Sequence, residues 1–111
     1  MIEIDVTTDS QGIGVVVPKG RLTMVSAPQV RSTLEQLVDA GTARIVVDLA
    51  ETTFLDSSGL GALISALKTA RKAGGDLRIA RPTEAVLTVL RLTNLDKVLR
   101  PRDTVEGAFY V

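Results

Sequence analysis

The chain has 111 residues, with 13 Lys and Arg balanced by 13 Asp and Glu, 45% hydrophobic residues, and neither Cys nor His. That length is a single small domain, and at this size about 65% of the surface of the unfolded chain is buried, enough for a core without disulfides. The missing thiols and imidazoles exclude thiolate or histidine metal sites, a cysteine nucleophile and a serine activated by histidine, leaving only hard-oxygen ligands for a divalent ion.

In chain order, Ile2, Ile4 and Val6 alternate with acidic or polar residues and Ile13, Val15 and Val17 with smaller ones, on either side of Asp9-Ser10-Gln11-Gly12. This predicts a β-hairpin. After Pro18-Lys19-Gly20, Ser26 followed three residues later by Gln29 has the form of a capping box, with Pro28 tolerable in a first helical turn. Ala27, Val30, Leu34, Leu37 and Val38 then recur at helical spacing up to Gly41, a C-terminal cap. Ile45-Val46-Val47-Asp48-Leu49 is a continuous run without polar alternation, the pattern of a central strand covered on both faces.

A second helix is predicted from about Ser58, carrying Leu60, Leu63, Ile64 and Leu67 on one face and closing at Gly74-Gly75. Leu77 and Ile79 form a short strand, and Thr83 caps a third helix with Val86, Leu87 and Leu90. The tail from Val98 to Val111 holds a short strand and a last helical turn or two. The order ββαβαβα plus a C-terminal piece predicts a single α/β domain over 1–111, a mixed sheet with a parallel core and an antiparallel N-terminal strand, packed with α-helices. Strand order does not follow from it.

The join between the central strand and the second helix reads Phe54-Leu55-Asp56-Ser57-Ser58-Gly59-Leu60-Gly61. Gly59 and Gly61 each cost about 1 kcal/mol against Ala inside a helix, and close approach of another backbone is the simplest reason for them. Two readings fit the block. Asp56, Ser57 or Ser58 caps the helix and the glycines allow tight packing, or the free N–H groups and dipole of the helix start serve an anion such as a phosphate on Ser57. A dinucleotide fingerprint fails because its third glycine would fall at Ile64, and the lysine of a P-loop is absent.

This block, preceded by the strand at 45–49 and followed by a helix ending in Gly74-Gly75, resembles the signature of the STAS domain family and, more narrowly, of bacterial anti-sigma factor antagonists. The similarity extends over the hairpin, a Gly20-Arg21-Leu22 turn, the block at 56–61 and Thr93-Asn94-Leu95-Asp96-Lys97-Val98. The resemblance implies a phosphorylation-gated binding module, not an enzyme. Ser57, directly after the aspartate, is then the phosphoacceptor of an anti-sigma factor serine kinase; the unmodified form binds that kinase and frees a sigma factor, and a PP2C-type phosphatase resets the system. Asp56, Ser58, Gly59, Leu60 and Gly61 would shape the surface the kinase reads. ATP and magnesium belong to the kinase, so the chain itself needs no cofactor. Such antagonists commonly carry an aspartate where this chain has Thr23, a position associated with kinase contact. Thr23 is either such a contact or a simple loop hydroxyl.

Charge divides unevenly. Residues 1–56 hold 8 acidic and 4 basic side chains and residues 57–111 hold 5 and 9, so the halves are −4 and +4. Lys68, Arg71 and Lys72 lie near the end of the second helix, where cations complement the dipole; a basic face for an acidic partner or lipid headgroups is the other reading. Phe54, Phe109 and Tyr110 are too few for base stacking, so nucleic acid is not an expected partner. No apolar run approaches the roughly 18 residues of a membrane span, and the alternating acidic start lacks the pattern of a secretory signal. The expectation is a cytoplasmic protein without direct membrane insertion, at most a weak homodimer. The alternative function is a non-catalytic STAS accessory subunit of a transport system or stress-signalling assembly.

Overall fold

A computed structural model describes residues 2–109; the parts of the sequence reading that fall on Met1, Tyr110 and Val111 lie outside the described residues. Strands β1 (Glu3–Thr8) and β2 (Gly14–Leu22) form the expected antiparallel hairpin. Its turn is organised by Asp9, whose Oδ1 accepts from the N–H groups of Gln11 (2.8 Å) and Ile13 (3.0 Å). Gly12 takes the positive φ of 79° that the turn demands.

Strand β2 continues past Pro18 to Leu22, so Gly20-Arg21-Leu22 is the end of a strand rather than a turn. Its first part pairs in parallel with β3 (Arg44–Asp48) and its last part with β4 (Thr52–Leu55), with a register shift between Gly20 and Arg21. The sequence reading lacked β4. Its four residues begin with two threonines and show no alternation; the segment is extended because β2 outruns β3 and presents an unpaired edge. Thr52 seals that join by donating its hydroxyl to the Pro18 carbonyl at 3.0 Å. Strand β5 (Asp76–Ala80) lies parallel on the other side of β3, giving the sheet order β1-β2-β3-β5 with β4 beside β2.

Helices α1 (Ala27–Asp39), α2 (Ser57–Lys72), α3 (Glu84–Leu92) and α4 (Asp96–Leu99) complete the domain. Their apolar side chains, including Val30, Leu34, Leu63, Leu67, Val86, Leu90 and Leu99, join one cluster with Val16, Ile45, Val47, Leu77 and Ile79 of the sheet. Because side chains alternate along a strand, Val46 points to the opposite face. There it meets Ile13, Ala80 and Ala108, with Val105 and Phe109 packed against them. The β3 run is therefore covered on both faces, as its lack of polar alternation implies. The tail supplies this second cover, with a single bridge from Arg102 to Ala80 followed by turns.

Three helices end alike. After α1, α2 and α3, the positive-φ residues Gly41, Gly74 and Asn94 are followed by N–H groups of Thr42, Gly75 and Leu95 that donate back to the carbonyls of Leu37, Ala70 and Leu90. This satisfies carbonyls the helices leave unpaired. The expected capping box at Ser26 is not formed. Ser26 is buried and spends its hydroxyl within the preceding loop, and the Gln29 side chain instead bonds the backbone of Ile2, accepting from its N–H at 3.1 Å and donating to its carbonyl at 2.8 Å. A long-range tie to the start of the chain has displaced the local one. Buried Asp48 at the end of β3 is paired in two-pronged fashion with Arg81, which takes a left-handed φ of 52°. That hydrogen-bonded carboxylate holds the guanidinium above its ordinary pKa.

Candidate functional site

The paired ends of β2 and β4 bring two loops side by side, since Leu22 lies opposite Leu55 and the Asp56 N–H donates to the Leu22 carbonyl at 3.2 Å. The first loop, Thr23 to Ser26, is tied from within. Ser26 Oγ donates to the Arg21 carbonyl at 2.8 Å and accepts from the Thr23 N–H at 3.0 Å, while the Thr23 carbonyl accepts from the N–H groups of Ser26 and Ala27. Thr23 Oγ1 accepts from the Val25 N–H at 3.3 Å, so its hydroxyl serves the loop's own geometry.

The second loop is the start of α2. Asp56 is the N-cap: its Oδ1 accepts from the Gly59 N–H at 2.9 Å. Its Oδ2 accepts from the Met24 N–H at 3.0 Å, 32 residues away in sequence. Asp56 therefore staples the two loops together. Ser57 is the first residue of a 16-residue helix and is exposed, as is Ser58. The N–H groups of a first helical turn have no intrahelical acceptor, so the serine hydroxyl projects where the dipole and free donors favour negative charge. Among the described residues, no group of three or more Asp or Glu side chains is placed to hold a metal ion.

The two glycines differ in role. A Cβ on Gly59 would lie 2.4 Å from the Leu22 carbonyl oxygen and 2.9 Å from Leu55 Cδ1, so close backbone approach explains this residue. Gly61 is exposed with nothing within 4 Å of where a Cβ would stand, and the packing explanation expected for it is wrong. It instead lines, with Ser58, a groove between α2 and α1 whose other wall includes Met24, Pro28 and Arg31. Gly59 and Leu60 face the core, so they place the surface that Ser57, Ser58 and Gly61 form.

Around this point stand residues that sequence reasoning missed. Met24 and Val25, 71% and 75% exposed, crown the first loop, and Phe54, which the sequence reading named without giving it a place in the site, is 39% exposed with the Arg21 guanidinium stacked 4.4 Å from its ring centre. The available signal was an adjacent apolar pair between Thr23 and Ser26 belonging to no periodic segment. By contrast Lys68, Arg71 and Lys72 lie at the other end of α2, about 20 Å away at 1.5 Å per residue, and Arg71 is engaged with Asp76 at 3.1 Å. Among the described residues, no helix is long and apolar enough to cross a membrane.

Comparison with known proteins places these features in context. The STAS domain family model matches residues 5–108. The Bacillus subtilis anti-sigma-B factor antagonist is 29% identical over 106 residues, covering 96% of this chain and 95% of that one. A candidate anti-sigma factor antagonist of Thermotoga maritima is 32% identical over 74 residues; the matched stretch is 67% of this chain and 66% of that relative, just under two thirds of its length. In fold, the chain superposes on the phosphorylated form of the Bacillus cell-fate determinant SpoIIAA with a TM-score of 0.74, at 18% identity and 95% coverage of both chains.

Proposed function

The chain belongs to the STAS domain family, and from that premise we propose that it is an anti-sigma factor antagonist whose partner binding is switched by phosphorylation of Ser57. The observation that carries the reading is the position of Ser57, an exposed hydroxyl on the first residue of α2 directly beside the N-cap Asp56. In the unmodified state Ser57, Ser58 and Gly61 are themselves small and uncharged beside Asp56, with Arg31, Glu35 and Asp39 lining the groove that Ser58 and Gly61 share, a surface on which an anti-sigma factor packs.

The partner is a serine kinase. It brings Mg-ATP, and the Ser57 oxygen attacks the γ-phosphorus; ADP departs and the hydroxyl proton passes to the kinase. Phosphorylation adds about −1.5 to −2 charges next to Asp56, so a packed partner would have to desolvate a dianion beside a carboxylate, and it dissociates. The same phosphate is tolerated by the domain itself because a helix N-terminus favours it. Loss of the partner without loss of the fold is what a reversible switch requires, and a PP2C-type phosphatase returns the chain to its binding form in the cytoplasm.

The decisive experiment is intact-mass measurement after incubation with Mg-ATP and serine-kinase anti-sigma factors of the same cell, beside Ser57→Ala. A gain of about 80 Da in the native chain alone is one phosphate at Ser57. Titration should then show Ser57→Ala binding the kinase and Ser57→Asp failing to. Equal affinity of the two variants would sink the proposal.

A further inference from the structure

We infer that Asp56 is the positioning residue that couples the state of Ser57 to the Met24–Val25 tip of the neighbouring loop. The inference rests on the reading of Ser57 as phosphoacceptor and adds the route by which its modification reaches a second surface element. The geometry is specific. One carboxylate accepts two backbone donors from different parts of the chain, Gly59 N–H on Oδ1 at 2.9 Å and Met24 N–H on Oδ2 at 3.0 Å. The first of these bonds belongs to the helix cap. The second does nothing for α2 and instead holds an exposed loop whose tip carries the apolar side chains of Met24 and Val25.

The two arms respond differently to a phosphate. Ser57 follows Asp56 directly, so its phosphate is a dianion beside the carboxylate and a competing acceptor for the first-turn donors of α2. Whichever anion takes the Gly59 N–H, that donor stays satisfied. The Met24 N–H has only the Asp56 arm among the described residues, and repulsion that turns the carboxylate away leaves it to water. The remaining ties of the loop, Ser26 to Arg21 and Thr23, do not involve Asp56 and keep its base in place. Phosphorylation therefore loosens the tip rather than unfolding the loop, and the partner loses a fixed apolar contact in addition to meeting a new charge.

Asp56→Asn separates these roles. Asparagine caps a helix about as well as aspartate, but its amide has a single oxygen and the NH2 group cannot accept from Met24. Amide hydrogen exchange by NMR on the isolated full chain reads the bridge without any partner. The Met24 amide should exchange at least about tenfold faster in Asp56→Asn and in chain carrying a phosphate on Ser57 than in the native protein, with Gly59 protection and melting temperature little changed. In binding to the anti-sigma factor, Asp56→Asn should lower affinity about tenfold, and the further loss caused by Ser57→Asp should be smaller in the Asp56→Asn background than in the native one. Unchanged Met24 exchange on phosphorylation, or strict additivity of the two substitutions, would overturn the coupling. If no anti-sigma factor binds, the functional reading fails while the exchange measurement still decides whether Asp56 transmits the modification.

Discussion

Gly59 stands so close to Leu22 that a side-chain carbon on it would sit 2.4 Å from the Leu22 carbonyl oxygen. That oxygen also accepts the Asp56 N–H, so it is anchored and cannot yield. Gly59→Ala should destabilise the domain by about 1–3 kcal/mol despite the better helix propensity of alanine, because overpacking against backbone outweighs a gain of about 1 kcal/mol. Chemical denaturation of the two proteins checks it through a lower midpoint at unchanged slope.

Gly61 makes the opposite case. With open space around it, Gly61→Ala should stabilise α2 by about 0.5–1 kcal/mol. The added methyl group enters the groove shared with Met24 and Ser58, so affinity for the anti-sigma factor should fall while the melting temperature rises. A titration paired with a thermal melt separates the two effects.

Thr23 can be tested by reversing its departure from the family's pattern. An aspartate there retains an oxygen able to accept the Val25 N–H, so Thr23→Asp should leave the loop and the fold intact. Phosphorylation of Ser57 by a serine-kinase anti-sigma factor should accelerate, measured as the initial rate of phosphate incorporation. An unchanged rate would assign Thr23 to loop geometry alone.

Phe109 closes the face of the sheet opposite the helices. It packs against the cluster of Ile13, Val46 and Ala80, with the Arg78 guanidinium 4.8 Å from its ring centre. Phe109→Ala should cost about 1–2 kcal/mol, less than a fully buried phenylalanine because the ring is only partly covered. Hydrogen exchange in β3 and β5 should quicken, while that of the α2 start should not.

The edge of the sheet gives a pH signature. Lys19 Nζ lies 2.7 Å from Asp5 Oδ2, and that hydrogen bond raises the lysine above its ordinary pKa of 10.5. A raised folded-state value means that the pair's contribution is complete below 10.5 and is lost as pH climbs through the folded-state pKa. Native protein should therefore melt slightly above Lys19→Met at pH 7, and the difference should close as pH climbs through the folded-state pKa of the lysine. A gap that persists at high pH would show that the aliphatic stem, not the charge, is responsible.

Much of the fold was written in local pattern. The hairpin followed from alternation on either side of a turn that opens on Asp9, the buried status of β3 from an apolar run broken only by Asp48, and two of the helix ends from glycines at positions where only a left-handed residue closes the helix. These are properties of a few adjacent residues, dictated by side-chain period and backbone sterics, and one chain segment suffices to read them. The Asp-Ser-Ser-Gly block likewise announced a helix start, while leaving its cap among Asp56, Ser57 and Ser58.

What tertiary structure decided is everything that depends on which segments meet. Strand β4 exists because β2 is longer than β3, Ser26 and Gln29 form no capping box because Gln29 found the backbone of Ile2, and only Gly59 of the two motif glycines faces another backbone. The bridge from Asp56 to Met24 spans 32 residues and depends on the pairing of Leu22 with Leu55. A carboxylate's second hydrogen bond has no signature in its own neighbourhood; it is made by whichever donor the fold delivers, and that delivery is fixed by packing rather than by sequence period.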